Sequence, residues 1–469
     1  MLEPRQSHPS SLPVETHEGI APVAVTGAWQ TAHLVSDSLR GTVLRIALPA
    51  VAASLLMTLF SSVDAFWVGT RIGPVGLAAV STSLFWIWMI VSLAEMVGVG
   101  LTAVAARRYG EHRGEAAARL AGDTLVFAVF LGAAVAIAGT YRFHSLFALM
   151  NTPRDVTALG SAYLRTYLLG TPLIYGFFAV DAAFRASGDT RTPFVLLLAS
   201  VAVTLVLDPA LMLGWGPFPR LGIAGAAIAT ITTRGAAFVM GLAIAWRRRL
   251  IEFGRIQPKA IWSVCRVGLP TAATGVTFSL IYVFLTRTTT RFGTPALAAL
   301  GIGHRVESWL FMIGVGFGAA TAAIVGQNLG AGRADRAERA GWIATGFCTL
   351  LGVVAFVLEL TFPTQFASLF TSDPAVIAEA VKYLRIAAVS QLAVCSEIVL
   401  EGALGGAGHT VPPMLTSTAL TASRIPLAWW AASRWGSAGI WWVISLTAIG
   451  RGVAMAALWR SGGWKRQSI

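Results

Sequence analysis

The chain is short of charged side chains, and of acidic ones in particular. Only 12% of its 469 residues are charged, 22 are acidic, and the formal net charge is +13. A water-soluble protein of this length would need more polar side chains to cover its surface. The three cysteines, Cys265, Cys348 and Cys395, are scattered, and their spacing fits neither a metal site nor a redox pair. We therefore expect these cysteines to be packing residues of a protein that is not soluble.

Sequence motifs of several enzyme classes are absent as well. The sequence has no GxxxxGK[ST] loop, which argues against ATP as the energy source. It has neither HExxH nor GxSxG, which argues against a membrane protease or a serine hydrolase. We therefore predict a protein that is not an enzyme, with no catalytic residues and no cofactor.

Long apolar runs are what the chain has in abundance. Hydrophobic residues make up 55% of the sequence, and the mean hydropathy is +0.69. Runs of 18 or more apolar residues recur along the chain, and each can cross a hydrocarbon core of about 30 Å as a helix. Backbone groups in lipid must be satisfied internally, which leaves helices or a closed barrel, and these runs are too long for barrel strands. The sequence predicts an all-α, multi-pass membrane protein.

Glycine, proline and charged residues divide the apolar runs into twelve predicted spans. The spans are 43–69, 76–106, 120–140, 161–184, 193–214, 222–246, 267–290, 296–326, 340–361, 375–403, 411–433 and 438–459. Residues 1–38 are polar and lack the apolar core of a signal peptide. We expect them to form a disordered cytoplasmic tail, with the first span retained.

Basic residues gather in the short loops after spans 2, 4, 6, 8 and 12. Loops rich in arginine and lysine stay in the cytoplasm, so this pattern predicts cytoplasmic termini in a bacterial inner membrane. Some basic residues contradict the pattern, including Arg71, Arg142, Arg154, Arg220 and Arg291. Because the positive charge is spread over loops rather than one soluble face, we expect no nucleic-acid partner.

The two halves of the chain repeat each other at one constant offset, and we call positions related by it equivalent. The stretch TRIGPVGLAA at Thr70 returns as TRFGTPALAA at Thr290, and at the same offset SGDTRTP at Ser187 returns as AGHTVPP at Ala407. Six spans in each half give both halves the same orientation, related by a two-fold axis along the membrane normal. The predicted division is a tail at 1–38, an N-terminal lobe at 39–246, a cytoplasmic linker at 247–266, a C-terminal lobe at 267–460 and a cytoplasmic tail at 461–469. Two such bundles form a cleft, and rocking them against each other alternates access to it.

Several of these stretches resemble one transporter family. LPAVAASLLMTLFSSVDAFWVG resembles the first helix of the multidrug and toxic compound extrusion (MATE) transporters, and GIGHRVESWLFMIGVGFGAATAAIVGQNLGAG resembles their eighth helix. FRASGDTRTP and VLDPALMLG resemble the branch that includes the DNA-damage-inducible protein F transporters. The resemblance covers roughly residues 40–460. It implies export of organic, often cationic, drugs in exchange for protons or sodium ions.

Two carboxylates inside predicted spans are the candidates for ion coupling. Asp64 lies in span 1 and Asp208 in span 5, and an ionisable group at mid-membrane is costly enough to indicate function. The family resemblance implies that both sit in one cavity of the N-terminal lobe. Two close carboxylates in a low-dielectric site disfavour double ionisation, so one of them can carry a proton. The alternatives are a headgroup-level position for Asp64 and a helix-end position for Asp208.

Two threonines are expected to support this acid pair. Sodium-binding relatives place an asparagine one turn before the second aspartate, where this chain has Thr204. Thr230 matches a family threonine on span 6. Since a hydroxyl is a poorer sodium ligand than an amide oxygen, we favour proton coupling, with sodium at Asp64 and Asp208 as the alternative.

The second half lacks the matching acid, because Phe284 stands at the position equivalent to Asp64. Five other acids fall within predicted spans, and we expect them to be buried: Glu95, Asp181, Glu307, Glu397 and Glu401. Asp181 and Glu401 are equivalent positions near basic loops, which favours structural ion pairs. Glu307 stands close to His304 and Arg305, which indicates a local network.

Pro49 precedes Asp64 by fifteen residues, as in the family's first helix. A proline removes one helical hydrogen bond, so span 1 is expected to kink here, either permanently or when the proton binds.

The predicted partners are small-molecule drugs and the lipid bilayer, and the expected state is a monomer. A flippase for a lipid-linked saccharide is the competing function.

Overall fold

The computed structural model describes residues 37–71, 74–149 and 154–467, and within these ranges the chain is helical with no strand. Continuous apolar sequence favours this outcome, because a helix satisfies its backbone groups without water. The first half contains α1 (Leu39–Arg71), α2 (Pro74–Gly110), α3 (Gly114–Leu149), α4 (Arg154–Leu169), α5 (Thr171–Ser187), α6 (Arg191–Leu213) and α7 (Ile223–Arg247). The predicted tail lies outside the described residues, apart from positions 37 and 38.

The second half repeats this order of helices. It contains α8 (Pro258–Thr289), a 3₁₀ turn (Thr290–Phe292), α9 (Gly293–Gly330), α10 (Ala334–Thr361), the short α11 (Pro363–Ser368), α12 (Pro374–Ala388), α13 (Gln391–Gly406), α14 (Val411–Ala422), α15 (Arg424–Ser461) and a final 3₁₀ turn (Gly463–Arg466). The predicted domain boundaries at residues 38, 246, 266 and 460 stay predictions.

The helices agree with the twelve predicted spans. Nine helical segments of the described chain are long and apolar enough to cross a membrane, and counting each of two bent helix pairs as one span gives eleven. One of the nine segments runs from Val411 to Ser461 and contains non-helical backbone at Gly436 (φ 62°, ψ −148°). Glycine tolerates this positive φ. Division at Gly436 turns that segment into two spans and confirms the all-α architecture of twelve spans.

The repeat is visible in the positions of the two bends. Helices α4 and α5 meet near Gly170 at an angle of 51°, and helices α12 and α13 meet near Ser390 at an angle of 57°. Gly170 and Ser390 are equivalent positions. The offset in the sequence therefore corresponds to a repeat in the backbone.

The two halves meet closely where α2 and α9 end. A Cβ atom on Gly110 would lie 2.0 Å from the Gln327 carbonyl oxygen, and one on Gly330 would lie 1.9 Å from the Arg107 carbonyl oxygen. Arg107 and Gln327 are equivalent positions, as are the two glycines. Only glycine permits this backbone approach, and the contact is symmetric. We call the region formed by residues 107–110 and 327–330 the closed end.

The segments that follow each half lie in similar places. After α7, the backbone N–H of Glu252 donates to the Ala118 carbonyl oxygen at 3.1 Å. After α15, Trp464 stacks on Trp459 with ring centroids 3.9 Å apart, and Trp459 Nε1 donates to the Glu338 carbonyl oxygen at 3.4 Å. Ala118 and Glu338 are equivalent positions. The connecting segment and the end of α15 therefore contact equivalent positions near the starts of α3 and α10.

Candidate functional site

Asp208 lies inside α6 and is only 2% exposed. Thr204, one turn earlier, is equally buried, and its Oγ1 donates to the Ser200 carbonyl oxygen at 2.7 Å. The same hydroxyl lies 2.7 Å from Thr233 Oγ1 on α7. This pair of hydroxyls joins α6 to α7 one turn away from the carboxylate, so Asp208 sits in a polar pocket between packed helices.

Thr233, rather than Thr230, makes the side-chain contact with Thr204. Thr230 is buried, and its backbone carbonyl oxygen accepts a hydrogen bond from Thr233 Oγ1 at 3.2 Å. Its own hydroxyl is therefore not the group that links the two helices. Residues three positions apart lie on neighbouring parts of one helical face, so the stretch ATITT carried a signal for Thr233 that the family resemblance overlooked.

The backbone of Asp64 lies in α1, which packs against α6. The side chain of Asp64 lies outside the described part of the structure, so its pairing with Asp208 stays a prediction. Met57, two helical turns earlier on α1, has its Sδ 3.0 Å from Arg234 Nη2 on α7. Arg234 therefore adds a cation to the helix face that continues towards Asp64.

Pro49 lies within α1, and the helix continues through it from Leu39 to Arg71. The proline cannot donate to the Arg45 carbonyl oxygen. The adjacent carbonyl oxygen, that of Ile46, accepts a hydrogen bond from Thr190 Oγ1 at 2.8 Å. A side chain of the loop after α5 thus contacts α1 at the turn weakened by Pro49, and the predicted kink stays a prediction.

Glu95 corrects one expectation, because its side chain is exposed and not buried. It lies on α2, within electrostatic range of Arg185 in its own half and of Glu401 in the other half. The sequence pattern marked α2 as apolar, but periodicity alone does not distinguish a packed face from a face along an interdomain cleft. Glu95 therefore faces the space between the halves.

Three further acids of the predicted set have cationic or acidic neighbours close to that space. Asp181 is half-buried and forms an ion pair with Arg185 one turn later. Glu397 is 5% exposed, and its Oε1 lies 2.8 Å from Arg451 Nη1. Glu401 is half-buried and lies within electrostatic range of both Glu397 and Arg451. Glu95 of the first half and Glu401 of the second half thus lie close to the ion pairs Asp181–Arg185 and Glu397–Arg451.

Glu307 is part of an aromatic and polar network in the second half. Tyr383 donates its hydroxyl to Glu307 Oε2 at 3.0 Å, and His304 Nδ1 lies 3.7 Å from the same oxygen. The His304 ring also contacts the ring of Tyr282 at a centroid distance of 4.8 Å. The expected neighbour His304 is present, whereas Tyr383 comes from a distant part of the sequence.

Arg424 is the most deeply buried cation that the sequence interpretation missed. It is 1% exposed, donates from Nε to Thr447 Oγ1 at 2.7 Å and from Nη1 to the Tyr282 hydroxyl at 3.1 Å. It stands at the position equivalent to Thr204. The second half therefore places a guanidinium where the first half places the hydroxyl beside Asp208.

Comparison with known proteins assigns the family. The MatE family model matches residues 49–210 and 270–430, more than half of the chain. The chain belongs to the multidrug and toxic compound extrusion (MATE) family. One matched region falls in each half, so the two regions coincide with the two copies of the repeat.

Individual MATE relatives and structures agree with this assignment. The probable multidrug resistance protein NorM of Thermotoga maritima is 28% identical over 449 residues, covering 92% of this chain and 94% of the relative. The FAD transporter of Shewanella oneidensis is 28% identical over 349 residues, covering 73% of this chain and 77% of the relative. A crystal structure of MATE in the straight conformation matches with a TM-score of 0.86 at 21% identity, covering 94% and 99% of the two chains.

These matches support a multi-pass membrane transporter with the two-lobed MATE fold. Assignment to the branch of DNA-damage-inducible protein F transporters stays a prediction. The structure places Thr204 one helical turn from Asp208, pairs its hydroxyl with that of Thr233 and not of Thr230, and places Glu95 and Glu401 from different lobes in one region. The described part of the chain therefore holds a buried acid in the N-terminal lobe and, separately, a group of charged residues drawn from both lobes.

Proposed function

We propose that this MATE protein exports organic, often cationic, compounds in exchange for protons by alternating access. The observation that carries the proposal is the buried carboxylate of Asp208, packed beside the Thr204–Thr233 hydroxyl pair and on a helix that contacts α1. A carboxylate in this setting is costly to ionise, and the cost falls when a proton or a cation binds. The name of the Thermotoga maritima relative, a probable multidrug resistance protein, supports drugs as the cargo.

Exchange requires that the substrate and the proton bind in competition to the same conformation of the transporter. In our proposal Asp64 and Asp208 hold a proton while the cleft faces the acidic side, and they lose it to the cytoplasm when the cleft reverses. The symmetric contact at the closed end fits a cleft that opens at one end at a time, because the lobes can stay in contact there while the other end is open. We place the closed end in the cytoplasm and the protein in the bacterial inner membrane, with both termini cytoplasmic.

The driving force is sufficient for this exchange. One charge that crosses about 100 mV releases about 2.3 kcal/mol. Export of a neutral compound against a roughly 100-fold gradient needs about 2.7 kcal/mol. One proton per neutral substrate therefore suffices when a modest pH gradient is added, whereas exchange of one proton for one monovalent cation moves no net charge and depends on the pH gradient alone.

Sodium coupling is the second candidate for the ion. A sodium ion needs several oxygen ligands, and Thr204 and Thr233 hydroxyls near Asp208 can supply some of them. The two hydroxyls already use each other as hydrogen-bond partners, and this arrangement favours the proton. An organic anion is the second candidate for the cargo, because the FAD transporter is a relative and Arg424 and Arg451 lie in the C-terminal lobe.

The test is transport by purified protein in liposomes, with a cationic dye and FAD as alternative substrates. With an imposed pH gradient and no sodium, we expect dye movement coupled to proton release, and at least a tenfold loss in Asp208→Asn and in Asp64→Asn. Asp155→Asn is the control, because Asp155 is exposed at the start of α4. Unchanged exchange in both variants would refute the acid pair, and transport that needs sodium but no pH gradient would reassign the ion. Movement of FAD and not of the dye would reassign the cargo.

A further inference from the structure

Arg234 is a charged residue of the membrane interior that the proposed exchange of cations and protons does not use. It lies near the middle of the 25-residue helix α7, which is long and apolar enough to cross a membrane. Basic residues that set topology lie in loops or near the ends of spans, so that role does not explain Arg234. The equivalent position in the second half is Ala454, so the shared fold does not require the charge. Ionisable residues at this depth usually mark a path for a substrate or an ion.

The Arg234 side chain points into the N-terminal lobe and not towards lipid. Thr232, Ala236 and Val239 are exposed and lie on one face of α7. Each residue turns a helix by about 100°, so Arg234 lies on the side opposite Thr232. Arg234 is half-buried, and its Nη2 lies 3.0 Å from Met57 Sδ on α1. Its exposed part therefore borders the interior of the lobe.

The Arg234 guanidinium has no oxygen acceptor in the described part of the chain, and in this it differs from three other arginines of the bundle. Each of those three has an oxygen partner: Arg185 has Asp181, Arg424 has Thr447, and Arg451 has Glu397. The acceptor of Arg234 is the sulfur of Met57, which accepts only weakly. A guanidinium carries five N–H donors, so most of those of Arg234 remain available to a ligand.

Two tyrosines of α4, Tyr163 and Tyr167, lie within electrostatic range of Arg234. Tyr167 is 7% exposed, and its hydroxyl makes no hydrogen bond to another described residue. A polar group in so buried a side chain is costly to leave unpaired, and the cost falls when a ligand oxygen binds. Arg234 and Tyr167 therefore offer hydrogen-bond donors to one anionic group.

Arg234 and Asp208 lie in the same part of the N-terminal lobe. Thr233, next to Arg234 in the sequence, shares a hydrogen bond with Thr204, which precedes Asp208 by one helical turn. A carboxylate and a guanidinium on neighbouring helices can hold the two ends of a molecule that carries both charges. The lobe therefore has a positive group for the negative end of a cargo, in addition to the acid proposed for its positive end.

We propose that Arg234, together with the Tyr167 hydroxyl, binds the carboxylate of a cargo molecule that also carries a positive charge. The planar guanidinium matches a carboxylate through two parallel hydrogen bonds. The positive group of the same cargo lies towards Asp208. This inference rests on the proposed export of organic cations, and it narrows the cargo to zwitterions.

The test measures equilibrium binding to the purified full-length protein in detergent by fluorescence polarisation. The probes are a rhodamine dye that carries a free carboxylate and the methyl ester of the same dye, which carries only the positive charge. We expect wild type to bind the carboxylate dye about tenfold more tightly than the ester, on the basis of hydrogen bonds from one charged donor. Arg234→Gln should bind both forms equally, and Arg234→Lys should keep part of the preference because it keeps the charge.

Arg165→Gln is the matched control, because Arg165 is exposed on α4 of the same lobe and its replacement changes the net charge equally. We expect its ratio of the two affinities to match that of wild type. This ratio does not depend on the folded fraction of a variant, so partial unfolding of Arg234→Gln does not produce the expected result.

Equal binding of the two dyes to wild type would overturn the Arg234 site but leave the proposed cationic cargo intact. Binding of the carboxylate dye alone, with loss in Arg234→Gln, would support the Arg234 site and count against cationic cargo. A preference that persists in Arg234→Gln would overturn the site. Displacement of the carboxylate dye by inorganic phosphate at equal concentration would assign Arg234 to free phosphate and overturn the cargo assignment.

Discussion

The two lobes share a backbone arrangement but differ in charge at equivalent positions in the membrane. Thr204 and Asp208 of the N-terminal lobe correspond to Arg424 and Ala428 of the C-terminal lobe, and both members of each pair are buried. Phe284, which corresponds to Asp64, is exposed. The shared fold therefore requires neither carboxylate, which agrees with the proposed role of the two acids in ion coupling.

At the closed end the two lobes are alike. Arg107 Nη1 donates to the Gln467 carbonyl oxygen, and the equivalent residue Gln327 donates from Nε2 to the Ala186 carbonyl oxygen, both at 2.6 Å. Each bond joins one lobe to a segment of the other. The contact between the lobes is therefore symmetric, whereas the charged side chains of the membrane interior differ between the lobes.

The largest expected change of conformation comes from breaking this symmetric contact. Gly330→Leu and Gly110→Leu each introduce a side chain where even a Cβ atom would lie 2.0 Å or less from a carbonyl oxygen. Overpacking of this kind costs about 1–3 kcal/mol or more, so the closed end should separate in both variants, with a population shift of at least about tenfold. The measurement is the distance between spin labels at positions 111 and 331, in a Cys265→Ser background.

Gly346→Leu is the control for this pair, because no atom lies within 4 Å of a Cβ built at that exposed glycine of α10. We expect its label distance to match that of wild type. A large shift in one closed-end variant and none in the other would contradict the symmetry of the contact. Wild-type distances in both would show that the lobes tolerate a side chain there.

The repeat explains which parts of the structure could be predicted from the sequence. Apolar length predicted the twelve spans, because the backbone in lipid needs internal hydrogen bonds, and the constant offset predicted the two lobes, because each copy of a repeat forms the same bundle. The bends at Gly170 and Ser390 were not predicted, since the apolar sequence continues through both of them. Pro172 in the first turn of α5 accounts for the break of the helix after Gly170, whereas α13, which follows Ser390, contains no proline.

The candidate site was predicted only in part, for a related reason. The hydropathy pattern located Asp208 and Glu95 within spans, but only the packing of the two lobes decides that the first is buried and the second faces the cleft. Arg424 could have been found by applying the offset to Thr204. A buried guanidinium was not expected there, because its hydrogen-bond partners Thr447 and Tyr282 come from distant helices.

The second prediction removes the charge that distinguishes the C-terminal lobe. Arg424→Met deletes hydrogen bonds to Thr447 Oγ1, to the Tyr282 hydroxyl and to the Ile444 carbonyl oxygen while keeping a long apolar side chain. Hydrogen bonds from a charged donor contribute about 1.5–3 kcal/mol each, and some of this is offset because the guanidinium no longer has to be buried. We expect the free energy of unfolding to fall by about 3 kcal/mol, measured by denaturation of the purified protein.

Arg434→Met on the same helix is the control, because Arg434 is exposed and its guanidinium lies over the Trp430 ring at 4.6 Å. The expected loss there is about 0.5–1 kcal/mol. Equal losses of unfolding free energy in the two variants would mean that the hydrogen bonds of Arg424 only just offset the cost of burying its charge. The C-terminal lobe would then hold its cation for a reason other than stability.

The smallest effect is expected at the equivalent position of the N-terminal lobe. Thr204→Val keeps the shape of the side chain but removes the hydrogen bond that joins α6 to Thr233 on α7, and it leaves the Thr233 hydroxyl with its backbone acceptors. The free energy of unfolding should fall by about 1 kcal/mol, the typical net value of one buried hydrogen bond. Thr204→Ser keeps the hydroxyl and should recover most of this loss. Thr166→Val provides the baseline, because the Thr166 hydroxyl is exposed and bonds only to its own helix. If Thr204→Val lowers the free energy of unfolding as much as Arg424→Met does, the two equivalent positions contribute equally to stability. The lobes would then differ there in charge but not in stability.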